Sequence, residues 1–76
     1  MKKTLNKFVK LLNDLEKEFI VKYWAGDIGV DIIIKNTEYN DLDKSILNEW
    51  NLIISINEEG YTSFEYDIIT SKDKDD

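Results

Sequence analysis

The sequence predicts one small α+β domain with elements in the order α-β-β-α-β-β: a four-stranded antiparallel sheet with an N-terminal amphipathic helix packed on one face. Three stretches carry that prediction. Leu5, Phe8, Leu12, Leu15 and Phe19 recur at spacings of three and four, as on one side of a helix. Residues 28–35 form the most apolar run of the chain and are rich in β-branched side chains, which suits a mostly buried central strand. Residues 61–70 alternate, with Phe64, Tyr66 and Ile68 on one side and Ser63, Glu65 and Asp67 on the other.

Taken in order, the helix is expected from Met1 to about Glu18, with Thr4 as its N-cap and lysines on its polar side. Such a helix could lie on a membrane or enter a partner's groove. A domain this small needs a cover for its sheet, which favours packing against the strands. Residues 19–25 form the first strand, and 25–27 the turn, where Gly26 takes positive φ at little cost. Gly29 marks either a bulge or a place where Trp24 lies across the backbone. Residues 36–41 are expected as a loop, with Asn40 or Asp41 capping a short helix that runs to about Trp50. Leu42, Ile46, Leu47 and Trp50 give that helix its apolar face. The third strand is 51–57, with Leu52, Ile54 and Ile56 on one face and Ile53, Ser55 and Asn57 on the other. Residues 57–60 form a hairpin turn with Gly60 at a positive-φ position. The folded domain is expected over 1–70, and the charged stretch 71–76 is expected to be disordered.

Composition narrows the chemistry. A 76-residue domain buries only about 60% of its unfolded surface, too little to enclose a deep cleft. The chain has no Cys and no His, so thiolate metal sites and the usual nucleophile–base pairs cannot form. All ten basic residues are Lys, so the bidentate guanidinium grip on phosphates is missing too. Asn36, Glu38 and Asn40 alternate in the manner of Ca²⁺ ligands, but Asp41 and Leu47 stand where a hand-type loop needs Gly and Glu. No phosphate-binding or dinucleotide glycine pattern is present. No enzyme activity, cofactor or metal is expected. Glu65 and Asp67, with Asp31 on the same face, could form an acid–base set, but an open sheet face offers no cleft for it.

Charge is unevenly spread. Residues 1–22 hold six Lys against three acids, +3; residues 23–76 hold four Lys against thirteen acids, −9. An acidic body repels nucleic acid and attracts basic proteins, so Tyr23, Trp24, Tyr39, Trp50 and Tyr61 are not expected to stack bases. Acidity also simply keeps a small protein in solution. No stretch reaches the ~20 apolar residues of a membrane span, and no signal peptide is evident, so a cytoplasmic location is expected. The abundance of Ile, Lys, Asn and Asp suggests an AT-rich coding source, as in a low-GC bacterium, its phage or a plasmid.

What these residues point to is a binding surface. Asp31, Ser63, Glu65 and Asp67 on the sheet, with Tyr61, Glu58, Glu59, Asp41, Asp43 and Tyr39 around it, are the candidate partner contacts. Asp27, Glu38 and Glu49 extend the same acidic surface. Carboxylates arrayed on a rigid sheet can imitate a phosphate backbone and occupy a basic channel, with fast, steered association. The expectation is therefore an acidic protein inhibitor of a nuclease, CRISPR effector or similar nucleic-acid-handling protein. In size and acidity it is similar to phage anti-restriction and anti-CRISPR proteins. Two alternatives remain: an immunity protein or antitoxin that neutralises a nuclease toxin, and a non-catalytic homo-oligomeric adaptor.

Overall fold

A computed structural model describes residues 3–26, 28–50 and 52–69. The order is α1 (Lys3–Asp14), β1 (Phe19–Trp24), β2 (Gly29–Lys35), α2 (Asn36–Asp41), a 3-10 helix (Lys44–Glu49), β3 (Ile53–Ile56) and β4 (Tyr61–Asp67). The strands form one antiparallel sheet in the order β1-β2-β4-β3. The β1–β2 and β3–β4 hairpins are local, and the link through α2 carries the chain past β4 to the far edge. The expected α+β class and element order hold.

The core lies between α1 and one face of the sheet. Leu5, Phe8 and Leu12 of α1 meet Val30, Ile32 and Ile34 of β2 and Phe64 and Tyr66 of β4, all buried. Phe8 stands edge-on to Phe64, 5.0 Å between centroids, and to Trp50 at 5.8 Å. Such aromatic pairs add about 0.5–1.5 kcal/mol each beyond the area they bury. Thr62 is buried as well, and its hydroxyl donates to Asn36 Oδ1 at 2.6 Å, so its polar group is satisfied.

Several boundaries differ from the sequence reading. α1 stops at Asp14, short of Glu18. Glu16 takes φ 56°, its N–H donates to the Asn13 carbonyl, and the Lys17 N–H reaches back to the Leu12 carbonyl, both at 3.0 Å. This is a Schellman cap with a non-glycine residue in the left-handed position. The apolar spacing ran on to Phe19 only because Phe19 opens the strand on the same side of the molecule. Thr4 lies within α1 and does not cap it. β1 ends at Trp24 because Ala25 (φ 51°) already belongs to the turn with Gly26 (φ 68°).

Residues 36–41, read from sequence as a loop, form the short helix α2. The second helical turn is a separate 3-10 helix capped by Asp43, not by Asn40 or Asp41. Asp43 Oδ1 accepts from the Ser45 N–H at 3.0 Å and from its hydroxyl at 2.7 Å. Leu42 is extended between the two turns, which lets both Leu42 and Leu47 enter the core. One continuous helix would not aim both inward with this short connection. β3 is shorter than expected, since Asn57 already opens the turn: its Oδ1 accepts from the Glu59 and Tyr61 N–H groups. β4 ends at Asp67, whose Oδ1 accepts from the Ile69 N–H and turns the chain out of the ladder. The expected disorder of 71–76, the cap position before α1, and Asp27, Asn51 and Thr70 lie outside the described residues.

Candidate binding face

The face of the sheet turned away from α1 is built in rows by the strand register. Lys22, Asp31, Glu65 and Ile53 form one row across all four strands. Ile20, Ile33, Ser63 and Ser55 form the next. Beyond the first row Trp24, Gly29 and Asp67 line up; beyond the second, Lys35 faces Tyr61.

Gly29 is not a bulge, because β2 pairs without interruption on both sides. Its role is clearance. A Cβ added there would lie 2.0 Å from Cζ2 of Trp24, so the indole rests directly on the backbone of β2. From that position Trp24 Nε1 donates to Asp31 Oδ1 at 3.1 Å. The ring thus covers bare main chain and orients one carboxylate.

Asp31 and Glu65 sit directly opposite each other on β2 and β4. The phase of this ladder follows from the Ile68 N–H, which donates to the Ile28 carbonyl, and the Asn36 N–H, which donates to the Gly60 carbonyl, both at 2.8 Å. Even-numbered β4 residues therefore exchange hydrogen bonds with β2, and the 31–65 pair is of the non-bonded kind, where opposing side chains approach most closely. Like charges placed directly opposite each other disfavour a strand pair. Asp67 lies one row away, and Lys22 faces Asp31 from the other side.

The rest of the face has a different character. Ile20, Lys22, Ile33, Asn57, Glu59 and Tyr61 line a shallow hollow of about 280 Å³. A smaller hollow of about 160 Å³ adjoins it, bounded by Glu18, Phe19 and Lys35. Lys35 Nζ donates to Glu18 Oε2 at 3.1 Å, and that contact raises the ammonium above its ordinary pKa. Of this half the sequence singles out Tyr61 and Glu59, while Ile20 and Lys22 join them through the β1–β2 register.

Of the ten sequence-named residues, Asp31, Tyr61, Ser63, Glu65 and Asp67 share the open face. Glu58 and Glu59 lie in the β3–β4 turn at its end, and Glu59 borders the larger hollow. Tyr39, Asp41 and Asp43 belong to the segment between β2 and β3 and are not brought into that face. Tyr39 packs on Phe64 at 5.9 Å with Lys44 Nζ 4.3 Å above its ring. Asp41 lies 3.7 Å from Lys17 Nζ. Asp43 caps the 3-10 helix, and the Ser45 hydroxyl and N–H hold its carboxyl below the usual range. Among the described residues no group of three or more Asp or Glu converges closely enough to hold a metal ion. No helix among them is long and apolar enough to cross a membrane.

Comparison with family models, curated proteins and solved structures gave no match to this chain.

Proposed function

We propose that this protein is a non-catalytic inhibitor. It seats the open sheet face on a basic, nucleic-acid-binding site of a larger protein, in the manner of anti-defence or anti-CRISPR proteins. The observation that carries this reading is the Asp31–Glu65 pair, with Asp67 in the adjacent row. Two carboxylates directly opposed across a sheet cost the fold stability, and an arriving row of Lys or Arg would turn that cost into attraction. The net charge of −6 supplies long-range steering toward such a site. Trp24 and Tyr61 add amphipathic contact area, which suits interface anchors. Inhibition would be stoichiometric and would take place in the cytoplasm.

The test is capture of a partner from bacterial lysates that include strains expressing CRISPR effectors and other nucleases. A basic protein retained at low salt, eluted by rising salt and displaced by DNA or RNA is expected. Glu65→Lys with Asp67→Lys, a pair that leaves the Trp24–Asp31 bond in place, should lower retention while circular dichroism stays unchanged. Adding Asp31→Lys should lower it further. Undiminished retention by the folded triple variant overturns the sheet-face reading. A partner indifferent to salt and nucleic acid would point instead to an immunity-type interface.

A further inference from the structure

Among the described residues nothing pairs with the outer edge of the sheet at β3. Ile53-Ile54-Ser55-Ile56 is exposed throughout, Ile53 at 65% and Ile56 at 63%, and carries no charge and no proline. Its backbone phase can be assigned. Even-numbered β4 residues bond to β2, so Ser63 and Glu65 bond to their β3 partners Ser55 and Ile53. The Asn57 N–H donating to the Tyr61 carbonyl at 2.9 Å has the same phase. Ile54 and Ile56 therefore direct their N–H and C=O groups out of the sheet. The Leu52 N–H is already held by the Trp50 carbonyl at 2.9 Å, so the outward ladder begins at Ile54.

The opposite edge, β1, is blunted by Lys22 near its middle, a common protection against strand addition. β3 has no such guard, but its surroundings are acidic. Glu49 precedes it and Glu58 follows it in the chain, Glu65 lies opposite Ile53 on β4, and Glu59, next in the turn, borders the larger hollow of the open face. We propose that β3 is a strand-addition site for an extended segment of the partner protein, apolar at its centre and carrying Lys or Arg at its ends. This rests on the preceding reading that the partner is basic. Main-chain bonds to Ile54 and Ile56 would supply affinity, and the flanking glutamates would select the basic ends. A second copy fits less well. In a two-fold pairing centred on Ser55, Glu58 and Glu59 of one copy approach the end of the other that carries Glu49, and each copy bears −6.

The test uses the full isotope-labelled chain and a synthetic peptide of alternating valine and threonine with lysines at both ends. The Ile54 and Ile56 amides should gain roughly tenfold exchange protection on binding, while the Ser55 amide, already bonded to β4, should change little. Ile56→Pro removes one outward donor at a position where an edge strand tolerates proline, and should weaken peptide binding roughly fivefold. Ser55→Lys, a milder change on the exposed edge, should weaken it most at low salt. Absence of peptide binding, or shifts confined to Glu65 and Asp67, overturns the edge proposal. The second result leaves the inhibitor reading standing. Equal binding of a peptide with glutamate ends overturns the edge proposal and removes its support for a basic partner. Protection of Ile54 and Ile56 that rises with protein concentration alone would assign the edge to a second copy and overturn the proposal.

Discussion

On β2 and β4 the same two strands present Val30, Ile32, Ile34, Thr62, Phe64 and Tyr66 to α1, and Asp31, Ile33, Ser63, Glu65 and Asp67 to the open side. Every residue of the first set is buried, and every residue of the second is partly exposed. On the covered face, side chains interlock and the Thr62 hydroxyl donates to Asn36 Oδ1. On the open face, two carboxylates oppose each other and an indole lies across bare backbone. The contrast teaches that stability is concentrated on one side of the sheet. The other side sets Asp31 between Lys22 and Glu65 and holds its carboxylate by the Trp24 N–H.

Truncating one side chain on each face should separate the two. Phe8→Ala, at the centre of the aromatic cluster, should cost about 3–5 kcal/mol in urea denaturation, enough to unfold much of so small a domain. Ile33→Ala on the open face should cost clearly less, because Ile33 is only partly buried. Equal costs would mean that the two faces share the load.

Gly29→Ala comes next. The added methyl must displace the Trp24 ring, and overpacking of this kind should cost about 1–3 kcal/mol. Trp24 fluorescence should shift with it. A neutral effect with unchanged fluorescence would mean that the indole does not rest on β2.

Glu16→Gly sharpens the comparison from outside the sheet. Glu16 holds φ 56° at the end of α1, where glycine meets no steric penalty. The substitution should leave the domain as stable or raise its stability by up to about 1 kcal/mol in thermal unfolding, although glycine gives part of that gain back through its freer unfolded chain. A clear loss of stability would mean that Glu16 makes a contact worth more than its backbone strain.

The smallest expected effect is a pH dependence. The folded-state pKa of Asp43 is lowered from 3.8 by its two bonds from Ser45. A depressed carboxyl adds stability that is fully present above the unfolded pKa and is lost as pH falls through the lower folded value. Asp43→Asn should therefore flatten the acid limb of the urea-midpoint curve below about pH 4 and change little near neutrality. An unchanged acid limb would show that the cap is not formed.

Much of this was legible in sequence because it depends on local periodicity. Spacings of three and four placed Leu5, Phe8 and Leu12 on one side of a helix. Alternation by two sorted Phe64 and Tyr66 from Glu65 and Asp67, and Gly26 and Gly60 sit where positive φ was expected. At Gly29 the sequence offers a bulge or a resting place for Trp24, and the uninterrupted pairing of β2 decides for the second. The pairing of β2 with β4 was not readable. Period-two patterns assign faces but not neighbours, so the opposition of Asp31 to Glu65 and the open edge at β3 came from the register alone. Nor was the break between α2 and the 3-10 helix. The sequence groups Leu42 and Leu47 on one helix face, but five residues apart they point to different sides of a helix, and with Leu42 extended both are buried. Which residues are apolar, which can turn and how side chains alternate along each strand are properties of a few neighbouring residues, and these are legible before folding. The tertiary structure alone decided which faces meet and which edges stay open, because those follow from contacts between residues far apart in the chain.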